Sequence, residues 1–491
     1  MLSQPRAQSL PLAAIVAGCV LVAGTSVWHV YGIFVHGPMS GASMNAGATG
    51  SHRDQMTLIA IGVLLALAGL LVRPTVRRAA RPPSGAVRKA ALCVLTFAMI
   101  VDVSKTATLG FVLPGMRAEY GISAQEAALL PVCGLAGTVL GSLVWGSLVD
   151  RLGVRRALLL ATLGFIATSV CGSMPTYAGN LVMCGLMGFA VGGLVPVVFS
   201  AITALVPAHR VPAVGALVAG IATAGGYLVA SQSAVLLGSD HGWRSLWLVG
   251  AFSGALLFLV LPCVPAWCDD AARRPVLPPR RAAAVPAYVG ELRGRYVFFG
   301  FMAGLVALGV LTWVPTVLRS AGLDGGAGER LLASQAWVAL PAAVVLALVL
   351  SRYSAERCAL VVATGAGAAL MVTGAVLAAG QHGWLLTVAL TATVFFSNAM
   401  TAAIVPMASV HFVRQRRGRG IGRIAGASKL GGLVGPVALA SVITAPLGFF
   451  VVAIVVGAGT VAAGVVMVAR RPAVTAVPLR DDARSGSGRA A

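Results

Sequence analysis

The chain has 491 residues, of which 58% are hydrophobic and 10% are charged, and its mean hydropathy is +0.91. This composition excludes a soluble globular protein and is typical of a polytopic membrane protein. The formal net charge is +22, but the basic residues lie in loops too short to fold as a nucleic-acid-binding domain, so no nucleic-acid partner is expected.

Apolar segments of roughly membrane-spanning length follow one another along the chain. They predict fourteen transmembrane helices, at residues 11–35, 56–72, 90–116, 127–149, 157–175, 180–205, 213–237, 245–266, 296–318, 331–350, 358–379, 384–410, 421–444 and 447–469. The lipid bilayer is therefore the expected surrounding of the protein.

Basic residues are concentrated in every second connecting segment. With the amino terminus inside, the predicted cytoplasmic segments hold 29 of the 36 Lys and Arg residues, and five lie outside. Because the loops richer in Lys and Arg stay in the cytoplasm, the sequence predicts a multi-pass protein of the cell membrane (inner or plasma membrane) with both termini cytoplasmic.

The turn between segments 127–149 and 157–175 is short and polar. It has the pattern Gly-x-x-x-Asp-Arg-x-Gly-x-Arg-Arg, formed by Gly146, Asp150, Arg151, Gly153, Arg155 and Arg156. Every fixed position matches the loop between helices 2 and 3 of the major facilitator superfamily, and here the chain resembles that family. Asp150 is a candidate conformational latch, since a carboxylate there can pair with arginines and with the positive end of a neighbouring helix in one arrangement of the halves. The alternative is a topology signal alone.

A weak internal repeat, offset by about 201 to 210 residues, indicates duplicated halves. Residues 111–121 parallel 313–322, for example. The resemblance implies an all-α membrane protein in which a twelve-helix core of two six-helix halves follows an N-terminal two-helix hairpin. The expected divisions are the hairpin with its basic linker (1–89), the N-terminal half (90–266), a cytoplasmic linker (267–295), the C-terminal half (296–470) and a cytoplasmic tail (471–491).

One carboxylate stands out. Of the fourteen Asp and Glu residues, Asp102 alone lies in the middle of a predicted spanning helix, and Lys105 follows three residues later. This spacing places both side chains on one helix face, where they can neutralise each other. A charge at the bilayer centre costs about 2.5 to 3.5 kcal/mol, so such groups are candidates for function. The resemblance implies that Asp102 binds the coupling proton, while Lys105 binds substrate or keeps Asp102 ionised. The alternative is a static structural ion pair.

Other polar side chains in the predicted helices are candidates for lining a central cavity. The candidate substrate-binding residues are Tyr227, Gln232, Trp313, Gln335, Asn398 and Lys429. Each is, as the alternative, a packed polar residue satisfied by neighbouring groups. Lys429 lies about 12 Å along its predicted helix and can either contact an anion or extend its stem to the interface.

The loop inside the N-terminal hairpin contains imidazole and thioether groups, which suit copper. The candidate metal ligands are His36, Met39, Met44 and His52. Small residues fill the gaps between them, so the alternative is a linker without metal.

The sequence contains no nucleotide-binding loop and no Ser/His/Asp set, so no cofactor and no enzymatic activity are expected. Fragments such as residues 192–196 and 311–315 resemble the metabolite and sugar:proton symporter branch of the family. We therefore expect a monomeric secondary transporter that moves a small polar metabolite, a sugar or an organic acid, by proton-coupled alternating access. The alternatives are efflux of a drug or natural product by proton antiport and, in another class, a membrane sensor or metal-related assembly factor on a transporter-like scaffold.

Overall fold

The computed structural model describes residues 13–22, 24–26, 28, 49–72, 82–169, 174, 176–269, 286–314, 317, 325–381, 383–412, 416–443 and 447–469. The regular structure within these ranges is helical, without a strand. In chain order the helices are α1 (Ala13–Ser26), α2 (Thr49–Val72), α3 (Gly85–Tyr120), α4 (Leu129–Leu152), α5 (Val154–Thr168), α6 (Tyr177–Leu205), α7 (Ala208–Leu237), α8 (Gly242–Cys263), α9 (Pro286–Gly304), α10 (Gly325–Arg352), α11 (Ala355–Ala378), α12 (Trp384–Ser409), α13 (Arg417–Ile443) and α14 (Gly448–Val468).

Seven helices within the described ranges are long and apolar enough to cross a membrane, namely α4, α6, α7, α8, α11, α12 and α14. The all-helical fold is confirmed, while the count of fourteen spans stays a prediction. Some boundaries differ from the expected ones. The helix α9 begins at Pro286, inside the stretch predicted as linker, and α13 begins at Arg417 rather than at residue 421.

Two helices of the bundle are interrupted at points that shape its interior. Gly242 joins α7 to α8 with φ 72° and ψ 172°, a conformation that a residue with a β-carbon rarely adopts. The helix α9 continues as a π-helix, Leu305–Val310, and then as a 3-10 turn, Leu311–Trp313. Such π-segments are frequent at functional sites, and this one lies against α12 and α13.

Glycines bring helices of the N-terminal half into backbone contact. A β-carbon at Gly137 would overlap the Gly185 carbonyl, and one at Gly188 would overlap the Gly134 carbonyl. Both contacts join α4 to α6. Inside a bilayer the hydrophobic effect does not drive helices together, so close packing through small residues holds them.

The two halves touch at the end of the bundle where α4 joins α5 and where α12 joins α13. We call this end of the bundle the basic end. A β-carbon at Gly146 of α4 would lie 2.5 Å from the carbonyl oxygen of Gly418 in α13. Gly215 of α7 packs in the same way against Pro406 of α12. These contacts close the basic end of the bundle.

The N-terminal hairpin pairs α1 with α2 through glycines. A β-carbon at Gly62 would lie 2.8 Å from the Gly18 carbonyl oxygen, and α2 packs against the outside of α5. The next helix, α3, has its own N-cap, because the Ser84 hydroxyl accepts a hydrogen bond from the Val87 amide at 3.4 Å. The beginning of α3 is therefore stabilised without the hairpin.

Deletion of residues 2–81 is accordingly expected to leave the rest of the helical bundle folded. The deletion retains the Ser84 cap, and we expect the unfolding temperature of the purified core to change by no more than about 2 °C, since 1 kcal/mol shifts a chain of this size by less than it shifts a domain of roughly 150 to 250 residues. Thermal unfolding and size-exclusion chromatography of both forms measure this. Aggregation of the shortened chain would show that α2 is an integral part of the N-terminal half.

Candidate functional site

The middle of α3 is polar, but its hydroxyl groups are occupied within the helix. Ser104 donates to the Val101 carbonyl at 3.0 Å, Thr108 donates to the Ser104 carbonyl at 2.8 Å, and Thr106 donates to the Asp102 carbonyl at 3.3 Å. Hydroxyl side chains commonly bond the preceding helical turn in this way. Among the polar groups in this part of α3, Lys105 bonds another helix.

Lys105 is directed toward α8. It is 2% exposed, its Nζ donates to the Trp247 carbonyl at 2.8 Å, and Nζ lies 4.3 Å from the centroid of the Trp247 ring. An ammonium group gains from both contacts, since a carbonyl can accept a second hydrogen bond and an indole face attracts a cation. The described residues show no ion pair between Asp102 and Lys105, and the described contacts of Lys105 are to α8.

Asp102 has no ion pair with another described residue, and Lys429 of α13, the candidate cation of the C-terminal half, is not in a described contact with it. Asp102 is 3% exposed, and its Oδ1 atom has no hydrogen-bond partner among the described residues. A carboxylate buried in this way needs an opposite charge nearby.

Lys429 lies farther from the beginning of its helix than the sequence analysis estimated. It is twelve residues beyond Arg417, where α13 begins, and so stands about 18 Å along the helix at 1.5 Å per residue. The shorter estimate assumed a later start of the helix. At this depth the stem is too short to reach the basic end, so the interfacial alternative is disfavoured.

Two predicted substrate-binding residues of the C-terminal half carry buried N–H groups without a partner in the described structure. These are Nε1 of Trp313 and Nδ2 of Asn398. Trp313 ends the 3-10 turn after the π-helix, and Asn398 lies in α12, which packs against that π-helix and against α13. A bound molecule with acceptor oxygens is one way in which such donors are satisfied.

The remaining substrate-binding candidates are less informative. Tyr227 is partly buried in α7, and Gln232 of the same helix is exposed. Gln335 lies in α10, and its side chain is outside the described part of the protein. The structure brings none of these three into a described contact with Asp102.

The absence of an ion pair between Asp102 and Lys105 has a measurable consequence. We expect Lys105→Ala to destabilise the protein by about 1 to 3 kcal/mol through loss of the Trp247 contacts, and adding Asp102→Asn should not restore the loss. Thermal unfolding of the single and double variants should give effects that add within about 0.5 kcal/mol. Recovery in the double variant would restore the ion-pair interpretation.

At the basic end, Asp150 contacts the start of α13. Its Oδ1 accepts from the Gly418 amide at 2.8 Å and its Oδ2 from the Arg419 amide at 3.0 Å. The first amides of a helix have no partner within the helix and carry partial positive charge, so a carboxylate fits there. Asp150 thus links α4 of one half to α13 of the other.

The other residues of the turn shape this contact. Gly153 has φ 89°, which reverses the chain between α4 and α5 as expected of a glycine. Arg151 and Arg155 are exposed, and Arg156 is half-buried. The contacts shown for the Asp150 carboxylate are thus its two bonds to the α13 amides.

The sequence analysis missed a second carboxylate at the basic end. Asp269, just after α8, accepts from the Arg155 amide at 3.0 Å and so caps α5. The neighbouring Trp267 donates from Nε1 to the Ala204 carbonyl at 3.1 Å. The run Trp-Cys-Asp-Asp at residues 267–270 was the available signal, but its partner lies more than a hundred residues away.

A further polar cluster, also missed, lies at the opposite end of the N-terminal half. Arg244 is 3% exposed and pairs with Glu119 at 2.8 Å. It also donates to the Tyr120 hydroxyl at 2.9 Å, and Trp243 donates to the other oxygen of Glu119 at 2.9 Å. These contacts join the end of α3 to the beginning of α8.

The predicted metal ligands are not assembled by the described structure. His36, Met39 and Met44 lie outside the described residues, and His52 lies in the first turn of α2. Within the described ranges no group of three His, Cys, Asp or Glu side chains could hold a metal ion. The metal-binding hypothesis therefore stays a prediction.

Comparison with known proteins decides the family. The model of the Major Facilitator Superfamily matches residues 91–357, which is more than half of the chain. The chain belongs to the major facilitator superfamily. It is accordingly a multi-pass membrane protein of a family of transporters rather than enzymes.

Two of the relatives are named as transporters of organic acids. The chain is 24% identical over 430 residues to a gallate transporter of Pseudomonas putida, covering 78% of this chain and 94% of the relative. It is 22% identical over 336 residues to the 3-(3-hydroxy-phenyl)propionate transporter of Escherichia coli, covering 67% and 80%.

The superfamily fold is also shared with solved structures. The proton:xylose symporter XylE, bound to 6-bromo-6-deoxy-D-glucose, superimposes with a TM-score of 0.62 at 15% identity, covering 78% of this chain and 96% of that one. At this identity the likeness concerns the fold.

Proposed function

We propose that this protein is a secondary transporter that carries a small organic acid together with a proton across the cell membrane by alternating access. The observation that supports it most is Asp102, which is 3% exposed within the bundle and whose Oδ1 has no hydrogen-bond partner among the described residues. Ionisable groups inside a membrane bundle mark ion and substrate pathways.

An organic acid is favoured over a sugar by the chemistry of the C-terminal half. Lys429, Trp313 and Asn398 all offer N–H donors, and the last two have no partner in the described part of the bundle. A carboxylate accepts such donors at both oxygens. The names of the two acid transporters among the relatives point the same way.

The contact proposed to change during transport lies at the basic end. In the observed arrangement Asp150 holds the beginning of α13, and the halves are in contact there. We propose that these bonds break when the halves rock apart and that the basic end faces the cytoplasm. Both termini then lie in the cytoplasm, and a monomer contains the complete path.

Uptake by purified protein in liposomes tests this proposal. With gallate or 3-(3-hydroxyphenyl)propionate as probe, an inwardly directed proton gradient should drive accumulation, and a protonophore should abolish it. Equal uptake with and without the gradient would exclude proton coupling, and a protein that moved neither acid nor any other metabolite would be a sensor rather than a transporter.

A further inference from the structure

One carboxylate at the end of α3 fixes the beginning of α8. This contact lies at the end of the bundle opposite the basic end, which we call the outer end. Glu119 accepts from Nη2 of Arg244 at 2.8 Å through Oε1, and from Nε1 of Trp243 at 2.9 Å through Oε2. The Trp243 ring also lies on the backbone of α3, since a β-carbon at Gly115 would be 2.5 Å from it. Because neighbouring residues of α8 use both carboxylate oxygens, the contact fixes the orientation of α8 as well as its distance from α3.

Arg244 is buried, so its charge depends on these partners. It is 3% exposed, and its Cζ atom lies 4.5 Å from the centroid of the Trp243 ring and 5.7 Å from that of the Tyr120 ring. Aromatic faces attract a guanidinium group, but they do not carry the full opposite charge of a carboxylate. Removing one member of a buried ion pair leaves the other charge uncompensated. The position of α8 is therefore sensitive to Glu119.

The hydroxyl group of Tyr120 connects this ion pair to a third helix. It accepts hydrogen bonds from Nη2 of Arg244 at 2.9 Å and from Nδ2 of Asn180 at 2.8 Å, and it donates to the Met174 carbonyl at 2.8 Å. The hydroxyl thus acts as donor and acceptor at once. Asn180 lies in the first turn of α6 and is 1% exposed. The outer ends of α3, α6 and α8 meet at this one oxygen atom.

The connection before α8 does not supply the same rigidity. Gly242 joins α7 to α8 with φ 72°, and a glycine between two helices is a position that can absorb a change in backbone angles. The helix α7 in turn contacts the C-terminal half, where a β-carbon at Gly220 would overlap that of Ala343 in α10. Movement of α7 against α10 therefore reaches the outer end of α3 by way of α8 and its contacts with Glu119.

We propose that these polar residues hold α3, α6 and α8 together so that the outer end of the N-terminal half moves as one body. We call them the outer clamp, formed by Glu119, Tyr120, Asn180, Trp243 and Arg244. The halves of such a bundle exchange access by rocking against each other, and the outer clamp keeps α8 from turning about Gly242 during that movement. Its members are positioning residues and do not bind the substrate. This inference goes beyond the proposed function and relies on it only for the effect on turnover.

Spin labels within the N-terminal half test the outer clamp without transport. Ala178 of α6 and Val235 of α7 are exposed and can carry the labels in a cysteine-free, full-length protein. In Glu119→Gln one of the two α8 donors meets an NH2 group, which cannot accept a hydrogen bond. The clamped arrangement should lose about 10- to 150-fold in population relative to other arrangements, the range for a hydrogen bond to a charged group. The distribution of label distances should therefore broaden.

Tyr120→Phe is the milder variant, because it removes the shared hydroxyl and keeps the aromatic ring and the ion pair. It should broaden the same distribution at temperatures well below its unfolding transition, which shows a loss of position in a folded protein. The matched control is Glu126→Gln. That carboxylate is exposed at the same end of the bundle and bonds the nearby Ser123 amide at 2.8 Å, so the variant should give the distribution of the parent protein.

Turnover in liposomes reports the consequence for transport. With gallate or 3-(3-hydroxyphenyl)propionate as probe, turnover per folded protein should fall in Glu119→Gln and in Tyr120→Phe while KM is unchanged. This pattern is expected when a movement of the protein is impaired rather than the binding of the substrate. Thermal unfolding of each variant measures how much of it is folded.

The outcomes separate the role of the outer clamp from the proposed function. An unchanged distance distribution in the folded variants overturns the outer clamp even if the protein accumulates acids. Broadened distributions with unchanged turnover overturn its positioning role in transport. If the parent protein accumulates no acid, the proposed function fails, and the distance distributions still decide whether the outer clamp holds the three helices together.

Discussion

Asp102→Asn is expected to abolish accumulation of substrate against a gradient while exchange of substrate across the membrane continues. Asparagine has nearly the same shape but binds no proton, so the gradient can no longer drive the cycle. A gradient of one pH unit is worth about 1.4 kcal/mol, or a tenfold accumulation when one proton accompanies one substrate. In the variant the internal and external concentrations should become equal.

Two assays on the same liposomes measure this effect. Gradient-driven uptake reports coupling, and exchange of labelled for unlabelled substrate at equal pH reports the path alone. Ser104→Ala is the matched control, because Ser104 is a buried polar residue two positions away whose hydroxyl bonds its own helix, and it should keep accumulation. Full accumulation by Asp102→Asn would show that the coupling proton binds elsewhere.

Asp150→Asn should open the basic end. The substitution removes the negative charge from the first amides of α13 and weakens two hydrogen bonds between the halves. Loss of a capping carboxylate costs about 1 to 2 kcal/mol, which changes the ratio of closed to open populations by a factor of roughly 5 to 30. Transport should slow because one arrangement becomes underpopulated.

Distances between spin labels measure the populations of the closed and open arrangements of the basic end. Ala208 in the N-terminal half and Tyr353 in the C-terminal half are both exposed at the basic end and can carry the labels in a cysteine-free background. Asp269→Asn is the matched control, since that carboxylate caps α5 within the same half and its loss should leave the distance unchanged. If the distribution of label distances in Asp150→Asn is identical to that of the parent protein, Asp150 is a topology signal and not a latch.

The sequence by itself determined the features that depend on local pattern. Apolar segments of bilayer length predicted helices because a backbone surrounded by lipid must satisfy its own hydrogen bonds. The turn around Gly153 was recognisable because its glycines, aspartate and arginines lie within eleven residues. Asp102 was found by the same kind of reasoning, since a lone carboxylate in an apolar helix is visible without any structure.

The tertiary structure decided which groups those residues meet. Lys105 bonds Trp247, 142 residues later, and Asp150 bonds Gly418, 268 residues later. Asp102 forms no ion pair with its neighbour Lys105 in the described structure. Spacing along one helix shows which side chains share a face, but the partner of a buried charge is chosen by whichever helix brings a carbonyl, a ring or an opposite charge within reach. That choice depends on how all the helices pack together.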